Sequence, residues 1–268
     1  MSPSLSTPTR HYVHDVVEKF HIILVYMRDS IHTHAEVLKD VAIGVWALLM
    51  LAGCKADLDE RIHRVHALSR NPSLANRARI EAMANDPDRD VRATVLVVLA
   101  GIDGELAKRI ARPALDDPDG LVRAAAVPIC GEGADDEMIR RLAAMAVSDP
   151  AWQVRAGALA ATVPSDDPAV YEAHARGLVD PSAEVRQAAL ASGLVRPGLL
   201  PTDRVVDLVS SDPDPAWENR VEAVRALGAS ADRGAYAGLD AALSDPNEFV
   251  RATAATELRT LERTGVSR

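Results

Sequence analysis

The residues best placed to do chemistry are charged ones that return on a nearly fixed beat. Aspartates at Asp86, Asp117, Asp149, Asp180, Asp212 and Asp245 each precede a proline, at steps of 31, 32, 31, 32 and 33 residues. An arginine follows six residues later at Arg92, Arg123, Arg155, Arg186 and Arg251, and eight residues later at Arg220. A row of free arginines would suit a phosphate backbone. Arginines that track aspartates at a set offset read instead as ion pairs, since guanidinium and carboxylate satisfy each other through two parallel hydrogen bonds.

Other groupings suggest metal chemistry and fail on spacing. The cluster Asp86, Asp88 and Asp90 resembles the start of a calcium loop, but such a loop needs a glycine at its sixth position and a carboxylate at its twelfth. Here those positions hold Val91 and Val97. The clusters Asp116/Asp117/Asp119 and Asp135/Asp136/Glu137 read as a solvated acidic edge. His63 and His66 share a helix face, yet no nearby carboxylate or thiolate completes a site. No Gly-rich phosphate loop or Gly-x-Ser-x-Gly elbow is present. The expectation is a chain with no catalytic residues, no metal and no cofactor.

The elements that carry the charged beat are helices. After each Asp-Pro, apolar residues fall at the position before the arginine and then four, five and eight residues on, as in Val91, Val95, Leu96 and Leu99. That spacing makes one stripe along a helix. A second short helical pattern precedes each turn, for example Met138, Leu142 and Met145 before Asp149. Each unit is therefore helix A, a tight turn, then helix B. Aspartate can cap helix B, and proline is tolerated in a first turn. A period near 32 residues marks a solenoid, in which stacking joins stripes that no unit could bury alone. Pro128 lies inside the second helix B and is expected to kink or shorten it.

These residues resemble the HEAT repeat, in the short variant named after phycobilisome lyases. The Asp-Pro turn, the Val-Arg six residues on and the following Ala/Leu pattern carry the resemblance from Leu74 to Leu261. It implies an all-α right-handed solenoid of about six hairpins, with the B helices lining the concave face. It also implies that aspartates and arginines of successive repeats form a hydrogen-bonded ladder: Asp86, Arg92, Asp117, Arg123, Asp149, Arg155, Asp180, Arg186, Asp212, Arg220, Asp245 and Arg251. The family hosts scaffolds, bilin lyases, a metal oxygenase and DNA-repair proteins. The di-iron hydroxylase branch holds its metal with His-Glu dipeptides, and this chain has none. The DNA-glycosylase branch needs a basic groove, whereas 30 Lys and Arg stand against 39 Asp and Glu here, a net charge of −9. No nucleic acid is expected as a partner.

Residues 1–53 read as a separate signal or anchor region, 54–72 as a degenerate helical cap and 73–268 as the repeat array. Leu51-Ala52-Gly53-Cys54 closes an apolar block that begins at Val41. The block is too short to span a bilayer but suits a signal-peptide core. The tetrapeptide resembles the lipobox of bacterial lipoproteins, which makes Cys54 a candidate for lipidation and the protein an extracytoplasmic, membrane-anchored lipoprotein. A buried first solenoid helix in a cytoplasmic protein is the alternative. Cys130 aligns with Leu99, Leu227 and Leu258 and reads as a small buried hydrophobe.

Trp152 and Trp217 occupy equivalent positions two repeats apart. They are candidate partner contacts, because tryptophan is enriched at binding hot spots; each ring could equally lie over the adjoining repeat. The expected function is a monomeric protein–protein scaffold with an unidentified protein partner. The alternatives are an accessory enzyme of the bilin-lyase or oxidoreductase type, and a nucleic-acid-binding repeat protein.

Overall fold

A computed structural model of the protein describes residues 56–230 and 232–264. Among them there are thirteen α-helices and no strand. In chain order they are α1 (Ala56–Ser69), α2 (Leu74–Ala82), α3 (Arg89–Ile102), α4 (Gly104–Ala114), α5 (Gly120–Gly131), α6 (Asp136–Ser148), α7 (Trp152–Thr162), α8 (Pro168–Gly177), α9 (Ala183–Val195), α10 (Thr202–Asp207), α11 (Trp217–Ser230), α12 (Ala235–Ala242) and α13 (Glu248–Thr264).

Odd-numbered helices form one layer and even-numbered helices the other. α1, α3, α5, α7, α9, α11 and α13 each pack against the next of the row. In the even row α6 packs on α8 and α10 on α12, while the remaining neighbours stand farther apart. A stack with one row drawn closer than the other curves toward the tight row, so the odd helices, which are the B helices, lie on the inner side. Small residues permit that approach. A methyl group added at Gly131 would stand 2.7 Å from the Ala161 Cβ, so α5 and α7 meet there nearly backbone to backbone.

Between the layers lies one core that runs the length of the stack. Val91, Val95, Leu96 and Leu99 of α3 are buried, as are Val185, Ala189 and Leu190 of α9 and Val250, Ala254 and Leu258 of α13. Each large aliphatic side chain so buried contributes roughly 1.5–3 kcal/mol, which no single hairpin could collect alone.

Helix starts follow from local caps. Asp103, Asp135 and Asp167 accept the backbone N–H groups of Leu106, Met138 and Ala169 at 3.1, 2.8 and 2.9 Å, opening the A helices α4, α6 and α8. The B helices begin differently from expectation. Asp86, Asp117, Asp149, Asp180 and Asp245 do not cap helix B; each lies two residues ahead of the cap position and accepts the N–H of the residue two on, as Asp117 does from Asp119 at 2.9 Å. For α3 and α5 the cap is the second aspartate, Asp88 or Asp119. The intervening proline forces this register, because it fills a turn position and offers no N–H.

α5 runs through Pro128 to Gly131 without interruption. A single proline removes one backbone donor, and the near-complete burial of Ala124, Ala125, Ala126 and Val127 holds the helix around it. In the segment 56–69, α1 packs on α3 as each odd-numbered helix packs on the next.

Candidate functional site

The recurring arginines make two kinds of contact at once. Nη1 turns back onto its own repeat and donates to the carbonyls of the Asp-Pro pair: Arg123 reaches Asp117 at 2.8 Å and Pro118 at 3.2 Å. Nε and Nη2 point forward and grip the carboxylate of the next repeat. Arg92 holds Asp117 at 2.8 and 2.8 Å, Arg123 holds Asp149 at 2.8 and 2.7 Å, and Arg155 holds Asp180 at 2.7 and 2.7 Å. Arg186 holds Asp214 at 2.5 and 2.9 Å, and Arg220 holds Asp245 at 2.7 and 2.9 Å. Each rung is therefore a bidentate pair between repeats, braced by carbonyl contacts within one.

This geometry changes the membership of the ladder. Asp212 is exposed and takes no part; Asp214, buried, receives Arg186. Asp214-Pro215 restores the six-residue spacing to Arg220, so the extra residues lie before the turn and not inside it. Asn219, which stands where other repeats have valine, donates to Asp214 at 3.2 Å and to the Ala183 carbonyl at 3.1 Å. The first rung is also earlier than the Asp-Pro series indicates: Arg61 of α1 reaches Asp86 at 3.1 Å across 25 residues. No Asp-Pro lies upstream of Arg61 to flag it, and the 25-residue step to Asp86 was the available signal.

The electrostatics follow from these contacts. Burial pushes the carboxyls of Asp117, Asp180 and Asp214 up, but the paired arginine and the turn N–H outweigh it and hold each below the usual carboxylate range. For Asp245 the Arg220 hydrogen bond is the largest influence, and the result is again downward. The arginines are correspondingly raised, first by their aspartate partners.

A second set of rungs, invisible as a motif, joins the A helices near the opposite edge. Arg77 of α2 donates to the cap aspartate Asp103 at 2.8 Å, Arg140 of α6 to Asp167 at 3.1 Å, and Thr202 of α10 to Asp232 at 2.9 Å. A cleft of about 360 Å³ between α4 and α6 is lined by Arg112, Asp116, Asp135, Glu137, Met138 and Arg141. Its two arginines pair with Asp135 at 3.6 Å and Asp116 at 2.7 Å, so its cations are already balanced.

The two tryptophans part company. Trp152 is half-buried and packs on the core. Trp217 is 38% exposed and stacks on Phe249, which is 58% exposed, with ring centroids 5.5 Å apart. Cys130 is buried, and burial pushes its thiol up to about 11. His174 is fully buried with Nδ1 2.8 Å from the Val170 carbonyl, and burial lowers its basicity. Among the described residues no group of three His, Cys, Asp or Glu side chains is arranged to hold a metal ion. Cys54 lies outside the described residues.

Comparison with known proteins agrees with this architecture. Residues 76–163 match the family model described as HEAT repeats. Among curated proteins none matches the chain. The crystal structure of YibA from Escherichia coli is similar at a TM-score of 0.57, with 21% identity over 79% of this chain and 78% of that one. A designed armadillo repeat protein gives 0.47, with 21% identity over 68% and 98%. Human deoxyhypusine hydroxylase in complex with glycerol gives 0.43, with 16% identity over 96% and 100%. The unbroken odd-numbered row, the repeat-to-repeat rungs and the matched HEAT segment together make this protein an all-α solenoid built of HEAT-like helical hairpins.

Proposed function

We propose that the protein is a non-catalytic scaffold whose repeats present a surface to a protein partner. The observation that carries this reading is the stacked pair Trp217–Phe249, which leaves two large aromatic faces in solvent at adjoining repeats. Exposed aromatic area of this kind contributes most when a partner covers it. The ladder aspartates are committed to holding repeats together, which leaves recognition to the surface. Partner capture with variants tests the reading. Trp217→Ala should weaken retention at least about tenfold, as expected of a hot-spot tryptophan, whereas Trp152→Ala should act through stability. Unchanged retention by Trp217→Ala, with the fold intact, would remove the aromatic pair as the binding surface.

The lipobox-like Leu51-Ala52-Gly53-Cys54 supports a further part of the proposal, in which Cys54 is acylated and displays the array outside a bacterial membrane. The first described helix starts at Ala56, so cleavage before Cys54 would leave every described rung in place. The intact mass of the native protein from a membrane fraction decides it: an unprocessed chain with a free Cys54 thiol ends the idea.

A further inference from the structure

After His66 the chain has one histidine, His174 of α8, and it lies fully buried in the core. Its Nδ1 stands 2.8 Å from the Val170 carbonyl, an oxygen that can only accept. Nδ1 therefore carries the ring proton, and Nε2 is the bare nitrogen. That nitrogen is buried and makes no hydrogen bond among the described residues. The packing around the ring is close: a methyl group added at Gly177, three residues on, would stand 2.8 Å from Leu159 of α7 and 3.1 Å from Ala189 of α9. A second proton on this ring would place a cation where α7, α8 and α9 meet.

The elements around α8 offer that cation no carboxylate. α8 packs on α6, α7 and α9, and their charged groups are engaged elsewhere. On α6, Arg140 holds Asp167 and Arg141 holds Asp116, while Asp136 and Glu137 are exposed at the helix start. On α7, Arg155 is bound to Asp180; on α9, Arg186 is bound to Asp214 and Glu184 accepts from Ser182. On α8 itself, Glu172 and Arg176 pair at the surface at 2.7 Å. Arg196, the C-cap of α9, donates to the Val163 carbonyl at 3.0 Å and to the Tyr171 hydroxyl at 2.6 Å. Burial disfavours a second ring proton most strongly; the Val170 and Leu159 carbonyls favour one less strongly, and the Arg196 charge opposes it again. The Leu159 carbonyl also accepts the Thr162 hydroxyl at 3.1 Å.

We propose that His174 is an acid switch in the middle of the array: a proton taken up at Nε2 unseats α8 from α7 and α9, while the repeats on either side keep their fold. A charged ring needs water, and opening α8 is the local motion that admits it. In the even row α8 packs on α6 and stands apart from α10, so it can open without carrying α10 with it. The sign follows from the two states. A histidine in an opened segment takes its second proton near the ordinary value of about 6.5, and the closed ring resists it. The closed form is therefore fully favoured above about pH 6.5 and loses ground as pH falls below it. From α2 to α13, His174 is the one side chain whose ordinary value lies between about pH 5 and 8. The ladder carboxylates yield at lower pH, so the two effects separate. The inference does not depend on the scaffold reading.

Hydrogen exchange of the full chain, corrected for the pH dependence of the chemical step, tests the proposal. Between about pH 7 and pH 5 the opening equilibrium of the α8 amides should rise about tenfold or more, one proton allowing at most about tenfold per pH unit. The amides of α3, α5 and α11 should change less than about twofold over the same range. His174→Gln stays neutral at every pH and should flatten the α8 response, whatever it does to absolute stability. The unaltered protein supplies a second readout: ring nitrogen shifts should show Nε2 still bare at about pH 6. A ring that titrates at the ordinary value would overturn the proposal. So would an α8 response that persists in His174→Gln, or one shared equally by all helices. None of these readouts involves a partner, so their failure would leave the scaffold reading standing, and unchanged retention by Trp217→Ala would leave this inference standing.

Discussion

Replacing Arg220 with methionine tests whether the rungs hold the repeats together. The side chains of Arg220 and Asp245 are 9% and 4% exposed, the least accessible arginine–aspartate pair of the ladder after that of Arg186 and Asp214. The substitution removes both forward hydrogen bonds and the 2.8 Å bond to the Asp214 carbonyl, and leaves the Asp245 carboxylate with only the Asn247 N–H at 2.7 Å. Breaking a buried pair by deleting one partner costs about 3–5 kcal/mol, most of it the stranded charge. Asp245→Asn keeps the turn oxygen and removes the charge, so adding it to Arg220→Met should recover part of the loss. A coupling of about 1.5–3 kcal/mol in the double-mutant cycle is the expected value. Chemical denaturation followed by helical circular dichroism measures the cycle. Hydrogen exchange localises it to α12 and α13, which matters because repeat arrays need not unfold in one step. The pH dependence adds an independent check. Arg220 holds Asp245 below the usual range, so the stabilisation is present above about pH 4 and lost as pH falls through the folded value. A loss under about 1 kcal/mol, additive with Asp245→Asn, would mean that the rung is an ordinary surface pair and the reasoning is wrong.

Three other outcomes follow from the same geometry. Asp117, Asp180 and Asp214 are also held low, so thermal stability should fall steeply as pH drops below about 4 and less so when salt is varied at pH 7. Glu257 is half-buried against Gly228, and burial raises its carboxyl; Glu257→Gln should therefore stabilise at pH 7, with the gain vanishing below about pH 4, where both folded and unfolded states are protonated. Gly131→Ala should destabilise by about 1–3 kcal/mol through its clash with Ala161, whereas Gly101→Ala, with nothing within 4 Å of the new methyl, should be neutral or stabilising by up to about 1 kcal/mol in the same melts.

Much of the ladder was readable because a repeat writes the same local physics several times over. What the period could not reveal was its phase. Each aspartate lies six residues before one arginine and 25 or 26 after another in most repeats, and both separations stay constant, so spacing alone does not say which pair touches. The doubled Asp212-Pro213-Asp214-Pro215 offers two candidates, and counting back six residues from Arg220 picks the buried one. Arg61 escaped notice because its repeat lacks the Asp-Pro marker at Lys55. The second set of rungs, from Arg77 to Asp103 and from Arg140 to Asp167, pairs residues at unequal separations of 26 and 27 and in unlike local contexts, so no repeated motif announces it.

Sequence by itself determined the helices, their hairpin pairing and their stacking, because apolar spacing and turn residues act over a few positions and recur. It also determined that charge would be paired, since each arginine arrives with its own aspartate. Only the tertiary structure decided between own-repeat and next-repeat contacts, and which of two equivalent tryptophans stays in solvent. Those outcomes depend on what the neighbouring repeat places opposite a residue: Phe249 beside Trp217, and the hydrophobic core under Trp152.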